Sequence, residues 1–262
     1  MWSGYVVNMG NPMLYVDVLG DSIFIEYNGK SYLYLGGKVY DEAGNEVESL
    51  DGFLKQAVDA LNKLRGTETF GGIVGALEQS KFSYFIKYSQ GDNHFKEDNR
   101  AGATILTNII LNSGIDTAKK MFSMLQEQGR IGSGGTVYWD PNNNLSEKYG
   151  LEWYDPTLSL AHELAHAYTA MLGIAYHEPF KEIGEDLTKD EWLAVYFTNK
   201  LRLELSIPLR EYYPVYVVEE TDNIFGNTTY KVEQKGPRFV KDCKPYLPPD
   251  AEKLLKFYGI IK

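Results

Sequence analysis

Between residues 22 and 40, hydrophobic and polar positions alternate in the tyrosine-rich runs SIFIEY, KSYLYL and KVYDE, separated by Asn28-Gly29 and Gly36-Gly37 and followed by Gly44-Asn45. Period-two alternation across Asn-Gly and Gly-Gly dipeptides predicts hairpins, and so a small β meander. From Leu50 the period lengthens. Phe53, Val58, Leu61 and Leu64 form one helical stripe that stops at Gly66. Further along, the pattern predicts a helix over 72–79, a strand at FSYFIKYS (82–89) and a short helix at AKKMFSMLQEQG (118–129), while the apolar ATILTNIILNS fits either type. Residues 215–262 read as an irregular, Pro-rich β segment (YVVEE, TTYKVEQ) ending in the short helix AEKLLKFYG. No internal repeat or low-complexity segment stands out.

The stretch 156–173 departs from these amphipathic patterns. Leu158, Leu160, Ala161, Leu164, Ala165, Ala167 and Ala170 make it apolar almost all round, which implies a buried helix. Asp155 offers an N-cap, Pro156 suits the first helical position and Gly173 offers a stop. Within it lies His162-Glu163-Leu164-Ala165-His166. Imidazoles four apart project from one helical face and can bind one metal ion. Zinc accepts neutral imidazole nitrogens, and a catalytic zinc needs three protein ligands plus an open position for water. Glu163 then falls beside that water, as the natural general base. The competing reading, two core histidines bonded to neighbours, leaves Glu163 buried without a partner.

A third ligand has to come from elsewhere. Leu172, six residues after His166, rules out the metzincin arrangement. His177 lies in a loop beyond Gly173, and His94 is remote with no supporting pattern. Glu191 is the strongest candidate, because it opens the helix DEWLAVYFTNKLRLE, which could pack on the first in the gluzincin layout; Asp190, Glu182 and Glu185 are alternatives. Thr188 to Glu191 also fits a capping box. At helical spacing Glu191, Val195, Asn199 and Arg202 share a face, so a polar seam toward the metal is expected, with Asn199 and Arg202 orienting the ligands. In PLREYYP (208–214), Arg210 and Tyr213 could offer a charge and a donor to an oxyanion, or make surface contacts from a short helix.

The glycine-rich run Gly132 to Gly135 enters a β-like stretch without a Walker lysine, which argues against phosphate. It reads as a strand before the zinc helix, its glycines letting another backbone approach. As a sheet edge beside the metal it could pair with an extended peptide, flanked by Tyr138 and Trp139, or it could be a plain edge strand.

Composition narrows the partners. The chain has 262 residues, 44% of them hydrophobic, enough for a sizeable core. A net charge of -10 and a pI near 5.0 argue against nucleic acid or an anionic membrane. There is no apolar run of about 18 residues to cross a bilayer. The first residues lack a charged n-region and an apolar h-region, so no signal peptide is expected and export would take another route. Cys243 is the single cysteine; it allows no intrachain disulfide and is expected to pack.

HELAHAY, the spacing from Glu191 through Asn199 to Arg202, PLRxxY from Pro208 to Tyr213, and GSGGTVYWDP together resemble the NleD-like zinc metallopeptidases, which include bacterial effectors and polymorphic-toxin domains. The resemblance spans roughly 132 to 213 and extends more distantly to clostridial neurotoxin light chains. It implies Zn2+ held by His162, His166 and Glu191, with Glu163 catalytic and Arg210 and Tyr213 near the scissile carbonyl. At the other end GYVVNMGNPMLYVDVLGDS (4–22) resembles the close of an Rhs repeat core, with Val18 where that segment has proline.

Together these imply an α+β, zincin-like metalloprotease with a small N-terminal β meander, a sheet packed on the zinc helix and a largely helical second part. Residues 1–20 are expected to be the tail of an Rhs-like core, 21–50 a β meander or linker, and 51–262 the metallopeptidase domain. The expected function is that of a zinc-dependent endopeptidase, a bacterial toxin or effector secreted or delivered as part of a larger carrier, which cleaves a protein in a recipient or host cell. A protein substrate and a cognate immunity protein are the expected partners, with no nucleic acid and no membrane insertion. The alternative is a non-catalytic, zinc-stabilised protein-binding module, which a closed four-ligand site would signal.

Overall fold

The alternating runs form β1 (Ser22–Tyr27), β2 (Lys30–Leu35) and β3 (Lys38–Tyr40). The structure, a computed structural model, describes residues 22–142, 155–179, 188–211, 216–221, 228–233 and 238–261. The Rhs-like segment 1–20, Glu182, Glu185 and Tyr213 therefore lie outside the described residues. Both hairpins turn on pairs with positive φ, Asn28 and Gly29 at 51° and 74° and Gly36 and Gly37 at 63° and 87°. A two-residue type I′ loop demands this left-handed pair, which explains the Asn-Gly and Gly-Gly signals.

With β4 (Ser83–Tyr88), β5 (His94–Glu97) and β6 (Gly135–Trp139), the meander completes a six-stranded sheet ordered β3-β2-β1-β4-β6-β5. The β1-β4 and β4-β6 pairs are parallel and β5 is antiparallel to β6. Gly135–Trp139 is thus an interior strand, a correction to the expected edge, because β5 pairs along its open side. Trp139 is 1% exposed and cannot flank a surface groove.

Seven helices occur among the described residues, so the fold is mixed α and β: α1 (Gly52–Arg65), α2 (Glu68–Glu78), α3 (Arg100–Ser113), α4 (Ile115–Glu127), α5 (Pro156–Met171), α6 (Asp190–Glu204) and α7 (Pro249–Phe257). The ambiguous apolar run becomes α3, started by the Asn99 side chain accepting from the Gly102 amide at 3.1 Å. It buries Gly102, Ala103, Leu106, Thr107 and Ile110, a three-four spacing. The second part carries α6 and α7, and the segment read as irregular β before the last helix holds two small antiparallel ladders, β7 (Tyr216–Thr221) with β8 (Thr228–Glu233) and β9 (Val240–Lys241) with β10 (Lys244–Pro245). Cys243 occupies the tight turn between β9 and β10, at φ 57°, and is exposed; the expected packing role is corrected. No helix among the described residues is long and apolar enough to cross a membrane.

The core lies on one face of the sheet. Ile23, Ile25, Tyr34, Tyr84, Ile86 and Val137 are fully buried in one cluster with residues of α1, α2 and α5. Residues of opposite parity, such as the stacked Phe24 and Phe85, lie on the half-buried far face. Burial of this kind contributes about 1.5–3 kcal/mol for each large apolar side chain. Two ties register α5 against this layer: Trp139 Nε1 donates to Pro156 O and to Ser159 Oγ, both at 3.0 Å, and Lys63 pairs with Asp155. The glycine run allows the close approach that its composition suggests. A Cβ on Gly132 would lie 2.2 Å from the Met171 carbonyl oxygen, and one on Gly135 would lie 2.3 Å from that of Lys96.

Candidate metal centre

Local chemistry starts and stops α5 where the sequence indicates. Asp155 accepts from the Thr157 amide at 2.8 Å, Pro156 opens the first turn, and Gly173, at φ 74°, donates back to Ala170 O at 3.0 Å. Burial on nearly every side takes His162 and Glu163 into the interior, at 9% and 6% exposure. One turn apart, the His162 and His166 rings meet edge to face at 4.8 Å.

Helix α6 packs across α5 and brings Glu191 to the two imidazoles. Glu191 Oε2 lies 3.1 Å from His162 Nε2, Glu191 Oε1 lies 3.3 Å from His166 Nε2, and the two Nε2 atoms are 3.2 Å apart. The capping-box alternative is not adopted: α6 has no side-chain N-cap bond, and the carboxylate turns to the histidines. These three residues form a group that could hold a metal ion. The spacing fits zinc, since a tetrahedron with bonds of about 2.0–2.1 Å has edges of about 3.3 Å. Glu191 Oε2 is buried and receives no hydrogen bond, a lone pair that a cation would satisfy.

Asp190 has a separate task. Its Oδ2 lies 2.8 Å from His166 Nδ1, while its Oδ1 accepts from the Tyr176 amide at 3.0 Å. The carboxylate holds the proton of a neutral His166 on Nδ1, which directs the Nε2 lone pair toward Glu191 and His162. Electrostatics express the same arrangement. Burial disfavours the His166 imidazolium, but Asp190 and Glu191 outweigh it and hold its proton affinity well above the ordinary value. Burial likewise opposes ionisation of Asp190 and Glu191, and the facing imidazoles overcome it, lowering both, Glu191 well below its usual range. A divalent cation would displace a proton from this cluster.

Glu163 behaves in the opposite sense. Burial pushes its carboxyl up, only partly offset by His162 and His166. A carboxylate with raised proton affinity suits proton transfer near neutrality. His94, which no sequence pattern supported, opens β5, stacks on Tyr138 at 4.5 Å and contributes to the field at Glu163. His177 does not join the group; its Nε2 is 3.5 Å from Glu97 Oε1.

The polar seam of α6 works differently from expectation. Asn199, fully buried, donates through Nδ2 to the Arg210 carbonyl at 3.0 Å and accepts the Arg210 amide at 2.8 Å. Arg202 donates to the Pro208 carbonyl at 2.9 Å. Both side chains thus bind the main chain of the following segment rather than the ligands, because the chain folds back along α6 after Glu204. Residues 207–211 carry Arg210 on irregular backbone, not on a short helix. Asp190 as a histidine partner and β5 as the neighbouring edge escaped the sequence reading. The acid beside Glu191 was a signal for the first, and four residues with no clean alternation left none for the second.

A family model, Peptidase_M91, described as effector protein, matches residues 41–213, more than half of the chain and all of the site assembled above. No curated protein and no solved structure matches the chain.

Proposed function

From the premise that the chain belongs to the Peptidase_M91 effector family, we propose that it is a zinc-dependent endopeptidase that cleaves a protein in the cell receiving it. The observation that carries this reading is the convergence of His162, His166 and Glu191 next to a buried Glu163, with Asp190 fixing the His166 tautomer. His162, His166 and Glu191 are the proposed ligands of Zn2+, which when bound supplies a Lewis acid that acidifies water and polarises a carbonyl.

Glu163 takes a proton from the attacking water and passes it to the leaving amine, a role that its raised proton affinity supports. Arg210 and Tyr213 stabilise the developing oxyanion. An extended peptide lies along β5, whose outer side has no strand partner among the described residues and which packs on α5. Residues 1–20 belong to a carrier, the meander within 21–50 shares the sheet and core of the peptidase domain that 51–262 complete, and a cognate immunity protein protects the producing cell. The alternative, a non-catalytic zinc-stabilised binding module, calls for a fourth protein ligand, and the group has three members among the described residues.

Zinc content and cleavage of a denatured proteome-derived peptide library, measured on wild type and Glu163→Gln, test the proposal. Equal zinc in both with cleavage by wild type alone is the expected result. Cleavage by both, or loss of zinc from Glu163→Gln, would overturn it.

A further inference from the structure

We propose that Asn199 is a positioning residue, which holds the Arg210 main chain in register for the reaction through two hydrogen bonds; the assignment rests on the role of Arg210 given above. The Asn199 carboxamide carries an acceptor and a donor side by side, so it satisfies the Arg210 amide and the Arg210 carbonyl together. A backbone N–H can only donate and a carbonyl only accept, so the 2.8 Å and 3.0 Å contacts fix which end of the Asn199 amide faces which group. The clamp is dry: Asn199 has no exposure, and a buried pair of this kind is costly to leave unmade.

Its location explains why it is needed. Residues 207–211 belong to no helix or strand, so no ladder holds Arg210. Arg202, one turn further along α6, fixes Pro208 through its carbonyl. The two guanidinium groups also act on each other: burial, reinforced by the Arg210 charge, pushes Arg202 down to about 10. Like-charge repulsion would displace a loosely held Arg210. Two side chains of one helix, at positions 199 and 202, instead pin main-chain groups at 208 and 210. The helix that presents Glu191 at its start therefore presents Arg210 near its end, and Asn199 couples the rigid element to the charge.

Hydrogen exchange reads the clamp without any substrate. In Asn199→Ala the Arg210 amide should exchange at least about tenfold faster, while 162–166 keep wild-type protection and zinc content is unchanged. Kinetics then use a peptide taken from the wild-type cleavage products of a denatured proteome-derived library. Arg210→Ala should lower kcat about 10²–10³-fold, and Asn199→Ala about 10-fold to 10²-fold with KM within about twofold. The double variant should match Arg210→Ala within about twofold, since Asn199 acts through that side chain.

Should Asn199→Ala melt early, Asn199→Ser keeps a small polar side chain too short to reach both main-chain groups, and the same cycle is run with it. Multiplied losses in the double variant, or unchanged Arg210 exchange, would overturn the assignment alone. Full activity of Arg210→Ala, or an inactive wild type, would instead overturn the reading of the site on which it rests.

Discussion

Asp190 offers the sharpest test of the site, because its two carboxylate oxygens serve two different N–H donors. Oδ2 takes the His166 Nδ1 proton at 2.8 Å and Oδ1 takes the Tyr176 amide at 3.0 Å. Asn at this position has the same shape but one acceptor oxygen, so Asp190→Asn leaves one donor facing an NH₂ group. If the Tyr176 amide keeps the oxygen, His166 moves its proton to Nε2 and occupies the lone pair meant for the metal. If His166 keeps it, a buried backbone N–H goes unpaired. Asp190 and His166 side chains are 6% and 12% exposed, so water offers little relief. A hydrogen bond to a charged group contributes about 1.5–3 kcal/mol. At about 1.4 kcal/mol for each factor of ten, zinc affinity should fall roughly 10-fold to 10²-fold. Competition against a chromophoric chelator at neutral pH measures this, and thermal melting of the metal-free protein checks that the variant folds. A folded Asp190→Asn that binds zinc within about threefold of wild type would refute the tautomer argument.

Other consequences follow from the same geometry. Glu163→Gln should retain zinc and lose about 10²–10⁴-fold in kcat, and a variant with wild-type kcat would remove Glu163 as the base. Burial should hold the Glu163 carboxyl of metal-free protein above the ordinary glutamate value of about 4.3, and a titration midpoint at or below it would contradict the burial argument. In metal-free protein, the depressed Asp190 and Glu191 contribute stability that is present above the ordinary carboxylate range and lost as pH falls through their folded values. The raised His166 and Glu163 contribute stability that is lost as pH rises through theirs. Melting in a chelator should therefore peak on the weakly acidic side of neutrality, below about pH 6.5, and a flat profile would contradict the charge assignment. Gly132→Ala combines a left-handed φ of 90° with a Cβ 2.2 Å from the Met171 carbonyl oxygen. It should cost at least about 2 kcal/mol in urea unfolding, and a loss below about 0.5 kcal/mol would show that the close approach is not needed.

Much of this site was legible along the chain because its parts are local. Asp155, Pro156 and Gly173 set the ends of α5, and helical spacing alone puts His162 and His166 on one face with Glu163 beside them. Asn28-Gly29 and Gly36-Gly37 marked their hairpins because backbone sterics restrict who can sit in such turns. The run 103–113 was opaque for the opposite reason: apolar residues on several faces satisfy either period, and packing against the Gly173 segment decides. There the Gly173 carbonyl accepts the Leu106 amide at 2.9 Å.

What the sequence determined by itself is thus the helix, the turns and the placing of two imidazoles and a carboxylate by one five-residue word, all set by interactions within a few residues. Four assignments waited for the tertiary structure. Glu191 could cap its own helix or face the histidines, and Asp190 stood only as an alternative ligand. The approach of α6 to α5 turns Glu191 to both imidazoles and Asp190 to His166 Nδ1, because it buries the carboxylates against the rings. Asn199 and Arg202 share the helical face that periodicity assigns, yet their partners are main-chain groups at 210 and 208, brought back by the path after Glu204. The edge of the sheet passed from Gly135–Trp139 to His94–Glu97 for a similar reason. Periodicity states which way a side chain points; which atoms fill that direction depends on strands and helices distant in sequence, whose packing no local pattern encodes.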